Sequence, residues 1–169
     1  MQNIYLVGFM GSGKSTIAKM LSREIYFEHI DTDSIIEKQN CMTVNQIFKK
    51  KGVEYFRNEE SKLIDKILNK NKIVISTGGG FVCNNDIIKK INKNDISIYL
   101  KLTSKKLYER LKFNHKKRPL LLNIKSDKLK KYINDLLSER ENYYSKSKII
   151  IDCNKLSKEE ILRKINSLI

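Results

Sequence analysis

The chain has 169 residues, a net charge of +15 and a single proline, Pro119, which fits one domain with a substantial core and offers no stretch that reads as a linker. The charge raises nucleic-acid binding, but 28 of the 34 basic residues are lysines scattered over every predicted helix. There is no interleaved aromatic platform, helix-turn-helix or zinc pattern, so the charge reads as solvated surface and no nucleic-acid partner is expected. Cys41, Cys83 and Cys153 lack disulfide or metal spacing, and His29 and His115 form no pair. No leader pattern or apolar run of about 18 residues is present, so the expectation is a soluble, cytoplasmic chain without a membrane partner, with monomer as the default since sequence does not give oligomeric state.

Ile4 to Val7 is apolar, with the length and side chains of a buried strand, and Ile17, Ala18 and Leu21 then fall on one helical face. A second strand is expected over 28–31 and a helix through Ile35, Ile36 and Lys38. Thr43 with Gln46 three residues later makes a capping box for a helix over Val44, Ile47 and Phe48, which Gly52 ends. A helix over 54–69 and a third strand over 72–76 lead into Gly78-Gly79-Gly80. Asn84 or Asn85 is expected to cap a helix through Ile87, Ile88 and Ile91. A fourth strand at 96–102, a helix at 104–113, a basic loop around Arg118 and a long helix through Leu129, Ile133, Leu136 and Leu137 follow. The chain ends with a fifth strand at 148–152 and a helix capped by Ser157 and Glu160. Strands alternating with helices predict an α/β fold, a three-layer α/β/α sandwich around a five-stranded parallel sheet with right-handed crossovers. The order of the strands is not legible from one sequence.

Between the first strand and helix, Gly8, Gly13, Lys14 and Ser15 fit GxxxxGK[ST] within GFMGSGKST, residues 8–16. In that pattern backbone N–H groups wrap the phosphates of a nucleoside triphosphate at a helix N-terminus, the lysine reaches the outer phosphates and the serine ligates Mg²⁺. Six of the seven glycines sit in this loop and in 78–80, where the backbone must approach something closely. In a parallel sheet ligands collect at the carboxyl ends of strands. There the second strand carries Asp31-Thr32-Asp33, whose two carboxylates suit separate tasks, one toward Mg²⁺ and one toward an acceptor hydroxyl. Asp33 also reads as an ordinary helix cap. Arg57, with Glu60 three residues on to orient it, reads equally as a surface ion pair. Arg118 lies in a basic segment that suits a closing lid or a solvated charge run, and Arg140 suits a site or an exposed helix face.

With GFMGSGKST at 8–16, DTD at 31–33, FRNEE at 56–60, STGGG at 76–80, RPLL at 118–121 and ERENYY at 139–144, the chain resembles the shikimate kinases over essentially its whole length. The resemblance implies a P-loop fold of the nucleoside monophosphate kinase type. It also implies ATP-dependent phosphorylation of the 3-hydroxyl of shikimate, with Mg²⁺ as cofactor and shikimate and ATP as the small-molecule partners. By position it implies that Gly11, Ser12, Gly13, Lys14, Ser15 and Thr16 hold the phosphates, that Ser15 and Asp31 serve Mg²⁺, and that Arg110 and Asn154 lie on the adenine side. It further implies that Asp33 binds ring hydroxyls and takes the 3-hydroxyl proton, that Arg57 and Arg140 clamp the carboxylate, and that Gly79 and Gly80 line the ring. Phe48 and Phe56 would wall the pocket, and Arg118 would be the lid arginine. On this view residues 1–169 are one kinase domain, with substrate-binding helices at about 32–62 and a lid at about 112–124. Four of the six arginines fall on these positions, as expected where a planar, always-charged fork matters in a lysine-rich chain. The segment Asp152-Cys153-Asn154-Lys155 departs from the family in carrying lysine where members often carry arginine. A related small-molecule kinase such as gluconate kinase is the alternative, and a P-loop module that binds nucleotide without catalysis is a third.

Overall fold

A computed structural model describes residues 2–84, 86–113, 119–122 and 124–169. Five strands, β1 (Ile4–Val7), β2 (Glu28–Asp31), β3 (Ile73–Ser76), β4 (Ile96–Lys101) and β5 (Ile149–Asp152), form one parallel sheet in the order β2-β3-β1-β4-β5. β1 lies at the centre with all four residues buried, as its unbroken apolar run requires. The chain crosses from β1 to β2 on one side and from β3 to β4 on the other. The carboxyl end of β1 is therefore the place where a crevice opens.

Helices flank this sheet. α1 (Lys14–Glu24) packs against β1, β2 and β3 and against α7 (Lys158–Asn166), while α4 (Ile87–Asn94) packs against β4 and α6 (Leu129–Tyr144) against α5 (Ser104–Leu111). Leu6, Ile75 and Ile98 from three neighbouring strands, together with Ile17 and Leu21 of α1, are among the fully buried core residues. Both expected capping boxes form, Thr43 with Gln46 at the start of α3 (Val44–Ile67) and Ser157 with Glu160 at the start of α7.

Two local expectations change. Gly52, at φ 85° and ψ 166°, breaks helical geometry as expected, but the chain resumes its helix at once, so 44–51 and 53–67 are two helical segments joined by a kink. Asn84 does not cap α4. That cap is Asp86 in a left-handed conformation without a side-chain hydrogen bond, and the Asn84 amide instead donates to the Arg57 carbonyl at 3.2 Å. Asn85, the other residue expected there, lies outside the described residues. Short 3₁₀ turns at Phe81–Cys83 and Pro119–Leu121 were not foreseen, and the second packs against α3. Among the described residues no helix is long and apolar enough to cross a membrane.

Candidate active site

One cavity of about 720 Å³ opens at the carboxyl ends of β1, β2 and β3, lined from Gly11, Lys14 and Ser15 at one end to Arg57 and Arg140 at the other. The phosphate loop forms one wall. Gly13 caps α1 at φ 100°, a left-handed geometry that side chains rarely adopt, and the helix begins at Lys14. One Arg110 guanidinium nitrogen donates to the carbonyls of Gly11 and Ser12, at 3.2 Å each, from outside the cavity. Because a peptide is planar and trans, the N–H of Gly13 then turns away from Arg110 toward the cavity that Gly13 lines. Lys14 is buried and folds back, its ammonium donating to the carbonyls of Gly8 at 2.7 Å and Phe9 at 2.9 Å. Ser12 is also buried, while Ser15 and Thr16 are exposed on the first turn of α1 and line the cavity.

Asp31, not Asp33, is the N-cap of α2 (Thr32–Asn40). Its Oδ1 accepts from the amides of Asp33 and Ser34, and its Oδ2 accepts from the hydroxyls of Ser15 at 3.0 Å and Ser76 at 2.7 Å. A hydroxyl beside a carboxylate at the phosphate loop is the hard-oxygen donor set that Mg²⁺ takes alongside phosphate and water. Among the described residues no cluster of three or more His, Cys, Asp or Glu makes an all-protein metal cage, and Mg²⁺ on a nucleotide needs none.

With Asp31 capping, the Asp33 side chain is released from the helix end and lines the cavity. Burial, reinforced by the Asp31 charge, pushes it up to about 6 against the pull of Lys14, and its Oδ1 has no hydrogen-bond partner among the described residues. Room for it comes from Gly78, where a Cβ would lie 2.3 Å from Asp33 Oδ1. Gly80 makes similar room for Arg57, whose Nη2 would be 2.4 Å from a Cβ there. The glycine run thus serves two side chains as well as the cavity. The Gly78 N–H is already used, donating to Thr32 Oγ1 at 2.9 Å, so among the described residues the amides of Gly79 and Gly80 are the two of this loop left for a ligand.

Arg57 pairs with Glu60 at 2.6 Å, and Glu60 is completely buried, which removes the surface ion pair reading. Burial pushes Glu60 up to about 7 against the pull of Arg57. Phe56 supports the arginine, its ring 5.9 Å from the guanidinium carbon, and meets Phe48 edge to face across the Gly52 kink at 5.1 Å. Arg140 is only 7% exposed and donates to the Gly79 carbonyl at 3.0 Å, so it belongs to the cavity and not to an outer helix face. Tyr144 donates to the same carbonyl, one turn further along α6.

Of the other residues singled out from sequence, Asn154 lies away from this cavity, its side-chain oxygen accepting from the amide and hydroxyl of Thr103 at the start of α5. Arg118 lies outside the described residues. Sequence reasoning missed Met10, Glu37, Asn45 and Leu120, which also line the cavity. Glu37 was accessible in principle, since it follows Asp33 by one helical turn. Met10 and Leu120 lie within the quoted GFMGSGKST and RPLL motifs, whereas Asn45 carries no signal without the fold.

Comparison with known proteins gives the family. The family model described as shikimate kinase matches residues 10–169. A shikimate kinase of Sulfurihydrogenibium sp. is 39% identical over 98% of this chain and 96% of its own length. One of Flavobacterium psychrophilum is 39% identical over 100% of this chain and 99% of its own. Among solved structures, a shikimate kinase from Acinetobacter baumannii in complex with shikimate superposes with a TM-score of 0.90 at 29% identity, covering 99% of this chain and 92% of that one. A gluconokinase from Sinorhizobium meliloti shares only the fold, with a TM-score of 0.58 at 12% identity over 96% of this chain and 88% of that one. A family match that runs almost from end to end, with relatives that align over their whole length, means that the chain belongs to the shikimate kinase family.

Proposed function

We propose that this chain transfers the γ-phosphoryl group of ATP to the 3-hydroxyl of shikimate, a step toward chorismate and the aromatic amino acids. The observation that carries the reading is a single cavity joining a phosphate loop to a buried carboxyl and two arginines drawn from different helices. The phosphate loop from Gly11 to Thr16 binds the phosphates, its Ser12 and Thr16 amides being already given to the Phe9 and Gly13 carbonyls, and Lys14 exchanges its two loop carbonyls for the outer phosphate oxygens. Ser15, with Asp31 behind it, would hold Mg²⁺ on the nucleotide, and the ion would supply positive charge against the phosphate oxygens. Arg110 and Asn154 serve the adenine side.

At the other end, Arg57 and Arg140 clamp the carboxylate of shikimate, a planar anion that suits two guanidinium forks. Gly79 and Gly80 offer their amides to the ring hydroxyls, and Phe48 and Phe56 wall the ring. Asp33 accepts hydrogen bonds from those hydroxyls and takes the 3-hydroxyl proton onto its carboxylate. A carboxyl near 6 is ionised at neutral pH, yet close enough in affinity to receive a proton as the alkoxide phosphorylates. Arg118, in a lid at about 112–124, closes its charge onto the transferring group, while the helices at about 32–62 carry the acceptor. The enzyme works as a single-domain cytoplasmic monomer.

A coupled assay of ADP release with shikimate, gluconate or no acceptor tests this reading. Turnover that depends on shikimate alone is expected. Gluconate-dependent turnover would assign a different kinase, and ADP release indifferent to either acceptor would leave a nucleotide module.

A further inference from the structure

We propose that His29 is a positioning residue for the metal site, acting through Ser76 on the Asp31 carboxylate. The inference rests on the assignment of Ser15 and Asp31 to Mg²⁺. It concerns a side chain that does not line the cavity and that sequence reasoning set aside as an isolated histidine.

The placement follows from the sheet. His29 and Asp31 are two residues apart on β2, so their side chains stand on one face, and parallel pairing sets Asp31 beside Ser76 of β3. His29 Nε2 lies 3.1 Å from Ser76 Oγ, Ser76 Oγ lies 2.7 Å from Asp31 Oδ2, and Ser15 Oγ lies 3.0 Å from the same Oδ2. A carboxylate can only accept, so the single Ser76 hydrogen is given to Asp31, and the Ser76 oxygen must then accept from His29. That fixes the proton of the neutral ring on Nε2, or at least requires one there. The hydroxyl has an alternative acceptor in the Ile30 carbonyl at 3.4 Å. An N–H seated on a Ser76 lone pair holds its hydrogen on Asp31 instead.

The consequence reaches Ser15. With Oδ1 held by the amides of Asp33 and Ser34 and Oδ2 by Ser76, the Asp31 carboxylate has one orientation in which to accept the Ser15 hydrogen. The Ser15 lone pairs are then turned away from Asp31, to the cavity that Ser15 lines, where a metal on the nucleotide would meet them. Outer partners of this kind commonly contribute 10- to 100-fold to metal affinity, and His29 stands one bond further out.

The test uses Mn²⁺ as a spectroscopic probe, titrated by electron paramagnetic resonance into the full chain with a non-hydrolysable ATP analogue, with the shikimate Kd measured in parallel. His29→Leu is expected to weaken Mn²⁺ binding by about 3- to 10-fold with the shikimate Kd unchanged. His29→Gln, which keeps a donor at a similar reach, should stay within about twofold of the parent chain. Ser76→Ala should weaken the metal too, and adding His29→Leu to it should cost nothing more. His29→Phe replaces His29→Leu in the series if the latter melts early. Parent-like Mn²⁺ affinity in His29→Leu, a Gln variant as weak as Leu, or a full His29 effect in the Ser76→Ala background would each overturn the proposal. Asp31→Ala serves as the control on the underlying assignment: undiminished Mn²⁺ binding there would remove the metal site itself, and this inference with it.

Discussion

The phosphate-loop wall of the cavity comes from one run of consecutive residues, 8–16, whereas the opposite wall draws Asp33 from α2, Arg57 from α3, Gly79 from the loop after β3 and Arg140 from α6. The first wall works chiefly through backbone geometry, set by glycines and the start of a helix, with one lysine parked on carbonyls. The second works through ionisable side chains that burial has moved well away from their ordinary values, Asp33 to about 6 and Glu60 to about 7. A local motif can build a general phosphate site, because every phosphate presents the same oxygens to N–H groups. Selecting one acceptor needs charges converging from several directions, and only a tertiary fold supplies those.

Breaking the dispersed wall at its centre should have the largest effect. Asp33→Asn is expected to lower kcat by about 10³-fold while leaving the Kd for ATP near that of the parent, since a well-placed proton acceptor contributes about 10²–10⁴-fold. In the parent chain kcat/KM should rise with pH through an apparent value of about 6 as Asp33 ionises, and the variant should lose that limb. Retained kcat with a raised KM for shikimate would make Asp33 a binding group only.

On the contiguous wall, Lys14→Ala should lower kcat/KM by about 10²-fold or somewhat more, the usual cost of losing one preorganised charge at a developing oxyanion. Near-normal turnover would separate the motif from the chemistry.

Arg57→Lys and Arg140→Lys sharpen the contrast between the walls. Each should weaken shikimate by roughly 10- to 150-fold, the equivalent of about 1.5–3 kcal/mol for a charged hydrogen bond, without altering ATP binding as read by calorimetry. An unchanged shikimate Kd in both variants would reject the clamp.

Gly78→Ala asks whether the second wall depends on close packing. A methyl at that position meets the Asp33 carboxylate, so thermal or urea unfolding should show a loss of about 1–3 kcal/mol, with kcat reduced as Asp33 is displaced. A neutral substitution would mean that the loop has room the structure does not show.

A pH dependence of stability in the ligand-free chain tests the same buried carboxyls without substrate. Unfolded, Asp33 and Glu60 release their protons near pH 4, whereas folded they hold them to about 6 and about 7. Between those limits the folded state binds more protons, so the contribution of these groups to stability falls as pH rises from about 4 to about 7 and is level above that. Comparison with the Asp33→Asn/Glu60→Gln double variant isolates the slope, read as roughly 2–4 °C of Tm for each kcal/mol in a chain of this size. Parallel curves for the two proteins would contradict the burial of these carboxyls.

The alternation of strands and helices was legible because its signals are local: β1 is an unbroken apolar run, and the capping boxes at Thr43 and Ser157 announce their helices within four residues. Asn84 misled because an asparagine before an apolar periodic run looks like a cap, yet its amide has a better partner in the Arg57 carbonyl, 27 residues away. The glycines at 78–80 were rightly read as a close approach, but sequence suggested a ligand where the structure adds Asp33 and Arg57 as the groups approached.

The sequence by itself determined the phosphate loop, the residue types of the acceptor side and the fold class, since each depends on spacings of a few residues along one element. The tertiary structure decided the strand order, which of the two aspartates caps α2, and that Arg57 and Arg140 face one cavity, as well as the line from His29 through Ser76 to Asp31. These depend on which strands become neighbours and in what register, and pairing between residues tens of positions apart is set by the packing of the whole core and not by any stretch of chain.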